Sequence, residues 1–156
     1  MRVDDFLNLW SEVENDAEYS LLVTGHSMRP FLVHDISVVY IRKWAKSNLK
    51  RGSIVLYLRD NGVLMLHRVI KQYPNGRILV NGDAQYWSEE IGEEQIIAQV
   101  MRLCRTKRVI SADNLLYRFV IQVWLAVRPV RPWMFRVGSR IKEGKRRLCG
   151  KESKSI

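Results

Sequence analysis

Ser27 lies in the stretch Val23-Thr24-Gly25-His26-Ser27-Met28-Arg29-Pro30-Phe31-Leu32, directly after an apolar run. Gly25 opens backbone angles closed to other residues, and Pro30 fixes φ and withholds a donor, so the hydroxyl rides on a constrained turn. A serine there is either an ordinary turn residue or an aimed nucleophile, and a nucleophile needs a base. Neutral imidazole suits that task near neutral pH. The chain offers three histidines, His26, His34 and His67. His26 adjoins the serine, but neighbouring side chains of an extended segment point to opposite faces. His34 lies beyond Pro30 with no evident route back. His67, in Leu64-Met65-Leu66-His67-Arg68-Val69-Ile70, is a polar ring inside an apolar strand and wants a partner. Strand pairing is able to bring it beside the Ser27 turn.

The elements that must position these residues are mostly strands. From Leu21 to Arg102 short β-rich runs alternate with turns, and Asp60-Asn61-Gly62 and Pro74-Asn75-Gly76 separate three of them as hairpin signals. The expected fold class is mainly β, an antiparallel, meandering domain over residues 21–106. Residues 1–20 precede it as a short amphipathic helix with Phe6, Leu7, Trp10 and Val13 on one face. Residues 107–156 form a helical, basic C-terminal segment. Within it Ser111 is the expected N-cap, Asn114, Arg118 and Gln122 share one stripe, and Pro129 and Pro132 end the helix.

In order, Gly25-His26-Ser27-Met28-Arg29-Pro30-Phe31-Leu32, Leu49-Lys50-Arg51-Gly52-Ser53-Ile54-Val55-Leu56-Tyr57, Leu66-His67-Arg68-Val69-Ile70 and Val80-Asn81-Gly82-Asp83-Ala84-Gln85-Tyr86-Trp87 resemble the signal peptidase I superfamily, which also holds the LexA-type self-cleaving repressors. The resemblance runs from Leu21 to Leu103, about half of the chain. It implies a LexA/signal-peptidase-like β fold with Ser27 as nucleophile and His67 at the position of the general base. A histidine there is the mark of the endoplasmic-reticulum and archaeal type; Lys71, the nearest lysine, is off register. The same resemblance implies an acid that holds the imidazole tautomer. Asp83 matches it by identity, and Glu89, between Ser88 and Glu90, matches by position with a longer side chain. His34-Asp35 and Ser53 stand where the family has Gly-Asp and an acid. The backbone N–H of Ser27 is the expected oxyanion donor.

The expected activity is therefore that of a serine endopeptidase acting on signal or leader peptides through an acyl-enzyme. Its substrate is an extended peptide or preprotein with small side chains beside the cut. With an ordinary imidazole pKa of ~6.5, activity falls as His67 is protonated, and an acidic neighbour raises that value. A LexA-like autoprotease is the first alternative. Against it, no helix-turn-helix segment precedes residue 21, and no Ala-Gly or Cys-Gly bond lies upstream of Ser27. A non-catalytic nucleic-acid-binding protein is the second. No cofactor or metal is expected, and Cys104 and Cys149 read as free thiols of a reducing compartment.

The net charge of +10 is unevenly spread. Residues 1–101 carry 11 Lys/Arg against 13 Asp/Glu, whereas residues 102–156 carry 15 against 3. Such a tail points to an anionic surface, and its aromatic and aliphatic residues favour lipid over nucleic acid. A helix over residues 112–127 measures roughly 24 Å, short of the ~30 Å hydrocarbon core. Residues 112–148 are thus expected to bind an anionic membrane surface peripherally, through a face holding Leu115, Leu116, Phe119, Val123 and Trp124; the alternative is that Leu115–Val127 packs on the β core and the remaining tail is solvated. With no signal peptide and no full transmembrane helix read in the sequence, the expected location is cytoplasmic or peripheral to the membrane.

Overall fold

The computed structural model describes residues 2–44 and 49–130. Helix α1 (Val3–Ser11) is followed by strands β1 (Tyr19–Leu22), β2 (Ser37–Lys43), β3 (Ile54–Leu58), β4 (Leu64–Gln72), β5 (Arg77–Asn81), β6 (Glu89–Gly92), β7 (Ile96–Arg105) and β8 (Arg108–Ser111), then helix α2 (Leu115–Ala126). The protein is mainly β. One antiparallel sheet takes the order β1-β2-β7-β3-β4-β5-β6, with β8 pairing along β7. The two Asn-Gly turns join β3 to β4 and β4 to β5, as their sequences require.

Three details depart from the sequence reading. The sheet is not a simple meander, because β7 enters between β2 and β3. It also runs past residue 106, since β8 adds a strand where a helical segment was expected. Third, Ser111 closes β8, and its hydroxyl accepts from the Asp113 N–H at 3.3 Å. The cap of α2 is Asn114, whose side-chain oxygen accepts from the Tyr117 N–H at 3.0 Å.

β3 is buried along nearly its whole length, so it reads as a continuous apolar run, and its alternate side chains enter two different cores. Ile54 and Leu56 join Val23, Met28, Leu32, Val39, Ile41 and Val100 in the first. Phe6 and Trp10 of α1 belong to that core too, with Leu7 and Val13 packed on it, so the apolar face read in the sequence is the buried one. Val55 and Tyr57 point the other way, toward Val69, Ile78, Val80 and Ile91. This double burial sets which residues of the β3–β4 hairpin can meet.

The chain divides into two units, Met1–Leu125 and the residues from Ala126 onward. In the first, Ile121 and Leu125 of α2 are buried and Tyr117 packs on the first core. Phe31 meets Tyr117 and Trp124 edge-on, with centroids 6.4 and 5.5 Å away. Trp124 is therefore turned inward, not out with the apolar face assigned to it from sequence. Leu115, Leu116, Phe119, Val120 and Val123 stay exposed. Of the second unit, the described residues include a short 3-10 turn at Arg128–Val130. Pro132, Trp133, Phe135, Cys149 and the rest of the basic tail lie outside the described residues. Among the described residues no helix is long and apolar enough to cross a membrane.

Candidate active site

The Ser27 turn belongs to a closed loop. Val23 donates its N–H to the Ser37 carbonyl at 2.9 Å, and Asp35 donates to the Val23 carbonyl at 3.0 Å, so the loop is pinned at its base. Gly25 takes φ +89°, a left-handed angle that a side chain makes costly. Met28 is buried in the first core and anchors the far side of the turn. His34 is used within the loop: Nδ1 accepts from the Gly25 N–H at 3.0 Å, and Nε2 lies 3.1 Å from the Asp35 carboxylate. His26 packs edge-on against it, with centroids 4.9 Å apart.

Ser27 is also tied to the segment after β5. Its carbonyl accepts from the Ala84 N–H at 2.7 Å. Gly82 approaches the same carbonyl so closely that an added Cβ would lie 2.8 Å from the Ser27 oxygen. Only glycine fits there without moving the serine.

A cleft of about 340 Å³ lies between this loop and the start of β4, lined by Val23 to Met28 on one side and Leu64, Met65 and Leu66 on the other. β4 pairs with β3 along Leu64–Arg68, but with β5 only from Arg68 onward. The Leu64–His67 stretch thus has no second strand beside it among the described residues, and its Leu64–Leu66 part bounds the cleft, whereas His67 is not among the residues that line it.

His67 follows Leu66 directly and is fully buried. Its Nδ1 lies 2.9 Å from the Tyr57 hydroxyl. Nε2 is buried and has no hydrogen-bond partner among the described residues, so the imidazole and the Ser27 hydroxyl are not bonded to each other. Catalytic hydrogen bonds commonly tighten only in the complex with substrate. Burial pushes the His67 pKa down to about 4; the Glu89 charge opposes this, and Arg59 adds to it. The expectation of a raised value is therefore overturned, because desolvation of the imidazolium outweighs the nearby acid.

Asp83, the acid matched by identity, holds Arg68. Arg68 Nε donates to Oδ1 at 2.9 Å and the second guanidinium arm to Oδ2 at 2.7 Å, with both residues buried. The remaining arm donates to the Gly52 carbonyl at 2.8 Å and to the Tyr117 hydroxyl at 3.3 Å. Phe31 lies 5.4 Å from the guanidinium carbon. Burial alone would lower the Arg68 pKa, but the Asp83 charge and hydrogen bonds hold it raised. The pair locks β4, the β5–β6 loop and α2 together.

Glu89, the acid matched by position, is the one connected to the imidazole. Tyr57 donates its hydroxyl proton to Glu89 Oε2 at 3.0 Å, and Arg59 Nε donates to Oε1 at 2.7 Å. A further Arg59 nitrogen closes on the same carboxylate. Partial burial raises the Glu89 pKa, but the hydrogen bonds and charge of Arg59 and the bond from Tyr57 bring it below the ordinary carboxylate range. Lys71 is exposed over the Tyr73 ring at 4.8 Å, outside this network.

Tyr57, Arg59 and Arg68 were not singled out from the sequence. Arg68 had a legible signal, a cation within an apolar strand run. Tyr57 offered a weaker one, a hydroxyl in Ile54-Val55-Leu56-Tyr57-Leu58 where a phenylalanine would serve for packing alone. Among the described residues no group of three or more His, Cys, Asp or Glu is arranged to hold a metal ion. No protein-family model matches the chain, and no curated protein matches it either.

Proposed function

We propose that the protein is a serine endopeptidase of the signal-peptidase-like type, with Ser27 as nucleophile and His67 as general base. The observation that carries this reading is the state of His67. One ring nitrogen is held by Tyr57, while the other is buried and unbonded on the strand that walls the Ser27 cleft. A buried polar atom without a partner costs about 1–3 kcal/mol. A packing role gives no return for that cost, whereas a base needs the lone pair free.

In this reading an extended peptide adds along the Leu64–Leu66 edge of β4, using backbone bonds for affinity and the cleft for its side chains. Ser27 Oγ attacks the scissile carbonyl carbon while His67 Nε2 takes its proton. The backbone N–H of Ser27 meets the developing oxyanion. His67 then gives the proton to the departing amine, leaving an acyl-Ser27 ester. Water, deprotonated by His67, cleaves the ester and releases the acid. Signal or leader peptides are the substrate class we assign. The test is mass-spectrometric digestion of unstructured peptides by full-length protein. Discrete cleavage that disappears in Ser27→Ala supports the assignment; cleavage that persists in Ser27→Ala, or none with any peptide, removes it.

The outer face of α2 we assign to an anionic lipid surface. Leu115, Leu116, Phe119, Val120 and Val123 present a continuous apolar stripe. The sequence from residue 128 to residue 154 carries 10 Lys/Arg against 2 Glu, a charge complement to anionic headgroups.

A further inference from the structure

The β3–β4 hairpin decides which side chains share a face. Val55 stands opposite His67 and Tyr57 opposite Met65, so Tyr57 and His67 are diagonal neighbours. Tyr57 is fully buried, and its hydroxyl touches two groups, the His67 ring nitrogen and the Glu89 carboxylate.

Proton counting fixes the direction of these bonds. An ionised carboxylate only accepts, and Glu89 is kept ionised by Arg59. The single phenolic proton of Tyr57 therefore points to Glu89. The Tyr57 oxygen is left to accept from His67, so the imidazole proton sits on Nδ1. Nε2 then carries the lone pair, the tautomer that a general base for Ser27 would require. The phenol also fixes the ring plane, as a carboxylate would in the more familiar arrangement.

We propose that Tyr57 is the positioning residue of the site, relaying the Arg59-anchored Glu89 to His67 and thereby setting the tautomer and orientation of the imidazole. This rests on the peptidase reading for its purpose, not for its geometry. Its chemistry explains why a hydroxyl is placed at a position that packing alone would give to phenylalanine. A carboxylate one residue farther along the relay also avoids bringing a second buried charge against the ring.

The test is ring nitrogen NMR of His67 in the full-length chain labelled with ¹⁵N-histidine, at pH 7, with His67→Gln to assign the signal. The relay requires a protonated Nδ1 and a bare Nε2 in the parent. Tyr57→Phe, which keeps the ring volume, is expected to shift the signal toward the Nε2–H form. It should also lower kcat by roughly 10- to 100-fold, part of the 10²–10⁴ a positioned base supplies, with KM little changed. If Tyr57→Phe does not fold, Glu89→Gln is read instead and is expected to move the signal in the same direction by less. An Nε2–H tautomer in the parent, or an unchanged signal in the folded variant, overturns the relay. The spectrum needs no turnover, so a failed peptidase reading would show separately, as cleavage that persists in Ser27→Ala.

Discussion

Tyr57 and His67 meet diagonally across the β3–β4 hairpin, with the phenolic oxygen 2.9 Å from Nδ1, and this contact orients the only histidine walled into the sheet. Everything assigned to the Ser27 cleft depends on a ring that is both held and kept neutral.

Neutrality has a measurable consequence. Burial brings the His67 pKa to about 4, so the base form persists well below the ordinary imidazole range. The rate should therefore be flat from pH 7 to about 5 and fall only as pH approaches 4. A stopped peptide assay across that range checks it; a midpoint at or above ~6.5 would contradict a His67 base whose pKa burial has lowered.

The same shift ties stability to pH. The unfolded chain binds a proton at His67 near pH ~6.5 and the folded chain near pH 4, so between those values the unfolded state carries more protons. The contribution from His67 is complete above ~6.5 and is lost as pH falls toward 4, worth at most about 3 kcal/mol. Urea unfolding at several pH values should show that slope, and His67→Phe should flatten it. An equal slope in both proteins would refute the assignment.

The two acids should separate by what they break. Asp83→Asn leaves Arg68 as a buried charge with its partner removed, a loss of about 3–5 kcal/mol. Glu89→Gln acts on a half-buried relay and should lower kcat with a much smaller fall in Tm. Thermal melts beside kcat measurements distinguish them. The reverse ranking would return Asp83 to the role of imidazole partner.

These acids also mark where sequence reading succeeds and stops. Ser27 stood out as a candidate because Gly25 and Pro30 bracket it locally, and His67 because a polar ring interrupts an apolar strand. Asp83 drew attention by identity. Yet its partner is Arg68, one residue along the strand from His67 and so on the opposite face. Glu89 reaches the imidazole through Tyr57, a link set by hairpin register and by β6, which no local pattern announced. β6 and β8 are each only four residues long, too short to show a period. The hairpins, in contrast, were written in their Asn-Gly turns.

Gly82 supplies a mechanical test of the Ser27 placement. Its missing side chain leaves room for the Ser27 carbonyl, and Gly82→Ala puts a methyl within 2.8 Å of that oxygen. Backbone must give way, with overpacking costs of about 1–3 kcal/mol. Loss of kcat exceeding the loss of Tm is the expected pattern. Full activity at unchanged Tm would show that the loop position is immaterial.

Lipid binding should depend on the exposed face of α2. Full-length protein is expected to sediment with vesicles holding anionic lipid at low salt, and to be released by Leu116→Glu with Phe119→Glu or by raised salt. Both positions are exposed, so the fold should survive the change. Recovery in the supernatant at low salt would contradict the assignment.

Acylation of Ser27 is the most direct measurement. Full-length protein would be incubated with a serine-directed acylating probe, and adducts located by intact mass and peptide mapping. A single adduct on Ser27 is expected, absent in Ser27→Ala and strongly slowed in His67→Gln. No adduct on Ser27 in the folded parent, or one formed equally fast without His67, would contradict the Ser27–His67 assignment.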